Sequence, residues 1–417
     1  MARLLVATIP LTGHVQPMLP IVSELVARGH EIEWITGVKF AQRVRTAGAA
    51  FVAMSNDWDD AELERAFPAL RGVRGLRRIK LQIREMFIEP MRTQLADLEA
   101  RPQPDAVISD SAHLGAGLFA EKHHVPWIEL GISALMLPSR DTAPFGSALP
   151  PWLGSRFLNW LILRVLFGSV NRAYRRARVA AGMPAGVRMY FEVMSNELFL
   201  QPTVAELEYP RRDLPRQVAF IGPLLPPVGQ LDLPTWWSEV EAATAAGRPI
   251  ILITQGTLAT DPSELVEPAL AALADLDAFV IVTMDRPIAA PRNARVAAFV
   301  PYQALLPYCR LMITNGGYGG VQLALAHGVP LIIAGGSEEK PEIAARVAWS
   351  GAAIDLRTGR PKPRALHAAV VRMLAEPAFR ERARAIQRTM ATCDAAKRAA
   401  ELVETLVPVR ERHVHAS

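Results

Sequence analysis

Two cysteines in 417 residues, Cys309 and Cys393, are too few and too far apart for a disulfide framework, and no CxxC pair offers a thiolate metal site. A reducing cytoplasm is the expected setting. Long hydrophobic runs are also missing. The stretch Leu161 to Phe167 is broken by Arg164 and falls far short of a bilayer span. The opening MARLLVATIPLTGH has a short apolar run and no convincing cleavage site, so it predicts a buried first strand rather than an export signal. Lys plus Arg (46) exceeds Asp plus Glu (41) by only five, which makes no nucleic-acid footprint. The phosphate-loop signature GxxxxGK[ST] is absent. Gly115-Ala116-Gly117 lacks the third glycine of a dinucleotide fingerprint and is displaced from the strand-to-helix turn.

What is present is length and alternation. A chain of 417 residues, half of them apolar and 21% charged, fits a globular enzyme of two domains. Strands are expected at Leu4 to Ile9, Glu31 to Thr36, Phe51 to Met54, Asp105 to Ser109 and Val125 to Leu130, with helices between them. A second series is expected at Ile250 to Thr254, Ala278 to Thr283, Val296 to Ala298, Leu311 to Thr314, Val329 to Ile333 and Ala352 to Asp355. Such alternation predicts parallel sheets covered on both faces, with ligands at the carboxyl edge of the strands. The expected division is a first domain over 1–224, a proline-stiffened linker over 225–248 and a second domain over 249–395. A terminal helix and tail over 396–417 is free to return to the first domain. Between Ser139 and Gly186 the alternation lapses into a proline-punctuated loop and a basic helical region, which suits either an active-site lid or a cap over the sheet.

Three stretches at strand ends carry the candidate chemistry. Thr254-Gln255-Gly256-Thr257 puts a glycine and a hydroxyl where a phosphate could approach; a capped strand-to-helix turn needs the same residues. Asn315-Gly316-Gly317-Tyr318-Gly319-Gly320 follows an apolar strand and opens a helix. Four glycines let backbone N–H groups and the positive helix end reach a diphosphate. Glu338-Glu339-Lys340-Pro341 starts another helix, and a carboxylate there can bond sugar hydroxyls or merely favour the helix start. His14, after the first strand, and Asp110, after the fourth, converge on the other sheet edge as a candidate base and its orienting carboxylate. A structural histidine beside a satisfied aspartate is the alternative.

Together these motifs resemble the inverting, nucleotide-sugar-dependent glycosyltransferases of the GT-B fold, the class of bacterial macrolide and antibiotic glycosyltransferases and UDP-glucuronosyltransferases. The resemblance runs through Gly13-His14-Val15-Gln16-Pro17, Phe299-Val300-Pro301-Tyr302-Gln303, His327-Gly328-Val329-Pro330 and Glu339-Lys340-Pro341 to Val347. It implies two facing Rossmann-like αβα domains, the acceptor on the first and a UDP- or TDP-hexose on the second. It further implies that Phe299 stacks on the nucleobase and Val300 bonds it through the backbone. Thr257, Gly316, Gly317, Gly319 and Gly320 would surround the phosphates, Glu339 would hold sugar hydroxyls, and no metal or prosthetic group would be required. His14 would be the base for direct inversion. Asn315 stands where the family usually has a phosphate-contacting histidine, Lys340 where it has glutamine, and Gly320 lacks a common hydroxyl.

The expected partners are a nucleotide sugar and a small lipophilic or aromatic hydroxyl acceptor. From Ser155 to Arg178 the chain has six arginines and no acidic residue, with Phe157, Trp160 and Phe167 among them. Docking on an anionic membrane is one reading. The favoured one packs these apolar residues on the sheet with arginines snorkelling outward. Other functions left open are a related sugar-nucleotide epimerase and a silent nucleotide-sugar-binding partner protein.

Overall fold

The computed structural model describes residues 1–147, 149, 151–154, 156–186, 188–226, 232–256, 261–336 and 338–407. Two parallel sheets organise it. The first contains β1 (Arg3–Ala7), β2 (Glu31–Thr36), β3 (Ala50–Ala53), β4 (Ala106–Asp110), β5 (Trp127–Leu130), β6 (Leu198–Gln201) and β7 (Val218–Phe220), in the order β3-β2-β1-β4-β5-β6-β7. The second contains β8 (Ile250–Thr254), β9 (Phe279–Thr283), β10 (Ala294–Ala297), β11 (Cys309–Thr314), β12 (Leu331–Ile333) and β13 (Ala353–Asp355), in the order β10-β9-β8-β11-β12-β13.

Strands such as β8, all five residues buried, have no polar alternation because helices cover both faces. One face of the first sheet buries Leu4, Val6, Ile108 and Leu130 against helix α1 (Thr12–Ala27) through Val15, Met18, Ile21, Val22 and Leu25. The same cluster includes Ala399, Ala400 and Val403 of the helix Ala395–Glu404, so the end of the described chain packs on the first sheet. Arg28 and His30 bond Glu404 at 2.8 and 3.1 Å alongside that contact. In both sheets the strand order reverses once, between β1 and β4 and between β8 and β11. Loops diverge at such a switch point and open a crevice at the carboxyl ends of the two strands.

Several expectations need correction. β1 stops at Ala7 rather than Ile9, because the Ile9 N–H is bonded at 2.8 Å by the Asp110 carboxylate instead of the ladder. Asp110 is itself the last residue of β4. β6 and β7 extend the first sheet by two strands that composition did not mark. The region after Ser139 buries only part of its apolar residues, Phe167 among them, where packing of all of them was expected. Among the described residues one stripe faces inward, Asn159, Leu163, Phe167, Val170, Asn171, Tyr174 and Arg178, on the helices Arg156–Leu161 and Gly168–Ala180 and the π-turn between them. Trp152 (71% exposed), Phe157 (69%) and Val165 (65%) fall outside that stripe, as does Trp160. No helix among the described residues is long and apolar enough to cross a membrane.

Candidate active site

α1 begins immediately after the β1 switch loop, and its start is fixed by Asp60. That carboxylate accepts the Thr12 backbone N–H at 2.9 Å and the Thr12 hydroxyl at 2.8 Å, serving donors that a helix start leaves unpaired. His14 therefore lies in the first turn of α1 rather than in a loop. Its Nδ1 is 3.0 Å from Asp110 Oδ1, and both residues are buried. Asp110 also accepts the N–H groups of Ile9 at 2.8 Å and Ala112 at 2.7 Å. Burial pushes the Asp110 carboxyl up, but His14, His113 and the Ile9 N–H together outweigh it and hold it below the ordinary carboxylate range. An ionised carboxylate only accepts hydrogen bonds, so in the neutral imidazole the proton sits on Nδ1 and the lone pair on Nε2. That is the tautomer a general base needs.

The second switch point assembles the other candidates. Asn315 donates an amide N–H to the Gln255 carbonyl, tying the end of β11 to that of β8, while its Oδ1 is buried without a partner. Gly256 and Gly316 take φ values of 77° and 91°, which side chains rarely adopt. A Cβ on Gly316 would also meet Ile333 at 2.8 Å. Gly317 caps the helix Tyr318–Ala326, and Gly319 and Gly320 lie in its first turn. Among the described residues nothing stands within 4 Å of a Cβ built on Gly317 or Gly319, so these leave the positive end of this helix uncovered. Thr257 lies outside the described residues.

Beyond β12, Glu339 caps the helix Lys340–Trp349, with Pro341 in its first turn. Burial and then Glu338 push the Glu339 carboxyl up, while Lys340 and His14 pull it down. Lys340 pairs with Glu338 at 2.5 Å rather than lying free on the surface. Phe299, just after β10, is 70% exposed, while the adjoining Val300 is buried. An aromatic face held out from a strand end is a platform on which a planar ring can stack.

Sequence reasoning missed the contacts that join the two halves. Gln201, ending β6, donates to the Tyr318 hydroxyl at 3.1 Å; Thr203 donates to Gln322 at 3.3 Å, and Gln322 to the Pro202 carbonyl at 2.5 Å. These bonds set the glycine-loop helix against the first sheet. The sequence signal was a polar residue ending an otherwise apolar tetrad, Leu-Phe-Leu-Gln, with no hint of its distant partner. Among the described residues no group of three or more His, Cys, Asp or Glu is arranged to hold a metal ion.

Residues 267–408 match the family model for the C-terminal domain of erythromycin biosynthesis protein CIII-like proteins. The chain is 40% identical to the 4'-demethylrebeccamycin synthase of Lentzea aerocolonigenes over 97% of its own length and 100% of that protein. It is 32% identical to UDP-glycosyltransferase 2 of Phaeomoniella chlamydospora over 97% of its length and 95% of that protein. Its fold matches the solved glycotransferase of kitacinnamycin with a TM-score of 0.76 at 22% identity, covering 98% of this chain and 99% of the other. With two parallel-sheet domains in the GT-B arrangement and full-length relatives of this identity, the chain belongs to the glycosyltransferases of the UDP-glycosyltransferase and macrolide type.

Proposed function

We propose that the protein is an inverting hexosyltransferase that moves a sugar from a UDP- or TDP-sugar to a hydroxyl of a small lipophilic or aromatic acceptor. The observation that carries this reading is the buried His14–Asp110 pair at one switch point, with the glycine-opened start of the helix Tyr318–Ala326 at the other. The donor lies across the second crevice, its base on Phe299 and against the Val300 backbone, its diphosphate at Gly256, Thr257 and the start of the helix Tyr318–Ala326. Its sugar hydroxyls bond Glu339. The UDP part of the reading draws support from the name of the fungal relative.

In the reaction His14 Nε2 takes the acceptor hydroxyl proton, and the oxygen attacks the anomeric carbon from the side opposite the diphosphate. The bond to the β-phosphate oxygen breaks, and the nucleoside diphosphate leaves with that electron pair. Asp110 stabilises the imidazolium as it forms. Helix-start N–H groups, rather than a metal ion, meet the leaving-group charge.

His14→Ala tests the assignment. Single-turnover transfer is expected to fall by about 100-fold or more, the usual scale of a lost general base, with donor affinity retained. Near-wild-type transfer in folded H14A would remove His14 from the mechanism.

A further inference from the structure

Arg346 is buried in the helix Lys340–Trp349, and its bonds cross between the two domains. Its Nε donates to Glu208 Oε2 at 2.8 Å and its Nη1 to Glu342 Oε2 at 2.5 Å. Its Nη2 points to the Leu135 carbonyl at 3.3 Å. The guanidinium also lies 4.6 Å from the Tyr209 ring centroid and 5.7 Å from that of Phe145. Glu342 is on the same helix, but Leu135, Phe145, Glu208 and Tyr209 come from the loops that follow β5 and β6 of the first sheet. Glu208 is held in turn by the Leu135 N–H at 2.7 Å. Both carboxylates and the guanidinium are almost fully enclosed.

A buried ion cluster of this kind is weak evidence for stability, because desolvation offsets most of the attraction. What it does supply is direction. A planar fork with three hydrogen-bonding nitrogens, lying over the Tyr209 ring and near that of Phe145, favours one placement of its helix against the loops, which a lysine cannot reproduce. Glu339 caps that helix and Lys340 is its first residue. We propose that Arg346 is a positioning residue for transfer: it pins the sugar-side helix to the acceptor-side loops and so fixes the spacing between Glu339 and His14. The proposal rests on the donor and acceptor assignment above, though not on which sugar or acceptor is used.

Arg346→Lys keeps the charge and loses the fork. Glu208→Gln keeps the shape and lies in the other domain, so it serves where the lysine variant folds poorly. Each variant is to be measured for nucleoside diphosphate affinity, single-turnover transfer, and the ratio of donor hydrolysis to transfer. Diphosphate affinity is expected to stay within about threefold, while transfer falls on the order of 100-fold, the effect of a displacement near 1 Å between reacting groups. Hydrolysis is expected to gain on transfer, because water needs no alignment with His14. Transfer within threefold of wild type in a folded variant would overturn the proposal. So would a loss of transfer that merely tracks a loss of diphosphate affinity. Wild-type protein that releases no nucleotide in response to acceptors would instead refute the transferase reading, which keeps the two failures apart.

Discussion

Glu129 shows how much of a site can hide from a sequence. In Trp-Ile-Glu-Leu a glutamate at an alternating position ordinarily faces water, yet here it is enclosed on β5 and accepts the Ser195 N–H at 2.8 Å. Burial pushes its carboxyl from 4.5 up to about 8; the Ser195 N–H opposes this, and the charge on Asp110 adds to it. A carboxyl raised on folding holds its proton in the folded state while the unfolded chain has released it. Stability therefore falls as pH rises between about 4.5 and about 8. Glu129→Gln keeps an acceptor for Ser195 and removes the titration. It is expected to exceed wild type in urea stability at pH 9 by about 5 kcal/mol, with the gap closing below pH 5. A gap that does not change with pH would count against the protonated form. The pairing of His14 with Asp110, by contrast, was legible because one follows the first apolar strand and the other ends the fourth, on neighbouring strands of a parallel sheet. Glu208 and Arg346 were not, since nothing local tells a buried charge from a solvated one.

At the scale of elements, continuous apolar strands declared themselves: Glu31–Thr36 and Ile250–Thr254 form over the residues composition indicates. β6 and β7, four and three residues long, did not, because strands that short carry too little pattern and depend on the sheet edge that receives them. Exposure around Trp160 was misjudged for a related reason: an apolar run fixes a helix but not how many of its faces find cover. The glycine loop allows a sharper test. Gly317 has φ −59° and ψ 132°, and no described residue crowds it, so Gly317→Ala is expected to leave stability within about 0.5 kcal/mol. A methyl where a phosphate approaches should still weaken diphosphate binding about tenfold, or about 1.4 kcal/mol. Gly316→Ala, at φ 91° and against Ile333, is expected to lose about 1–3 kcal/mol of stability. Titration calorimetry paired with urea melts separates the two effects. Unchanged diphosphate affinity in G317A would place the phosphates elsewhere.

The whole molecule is joined by more than its linker. Arg346, Gln201 and Thr203 bond across the cleft, and the helix Ala395–Glu404 packs on the first sheet after the chain has built the second. A donor that touches mainly the second domain should therefore raise the melting of both together. At 100 times its Kd, a UDP- or TDP-sugar is expected to add about 2.7 kcal/mol, and EDTA should leave the gain intact. Stabilisation that vanishes with EDTA, or two separate melting steps of which one ignores the donor, would contradict this. The returning helix also orders events during synthesis. The face of α1 that receives Ala399, Ala400 and Val403 leaves the ribosome about 370 residues before its cover does. At about 5–20 residues per second, that apolar strip stays bare for roughly 20–70 s, long enough for a chaperone to find it. The domain made first is therefore the last to be finished, and a nascent chain halted before residue 395 leaves its oldest core open.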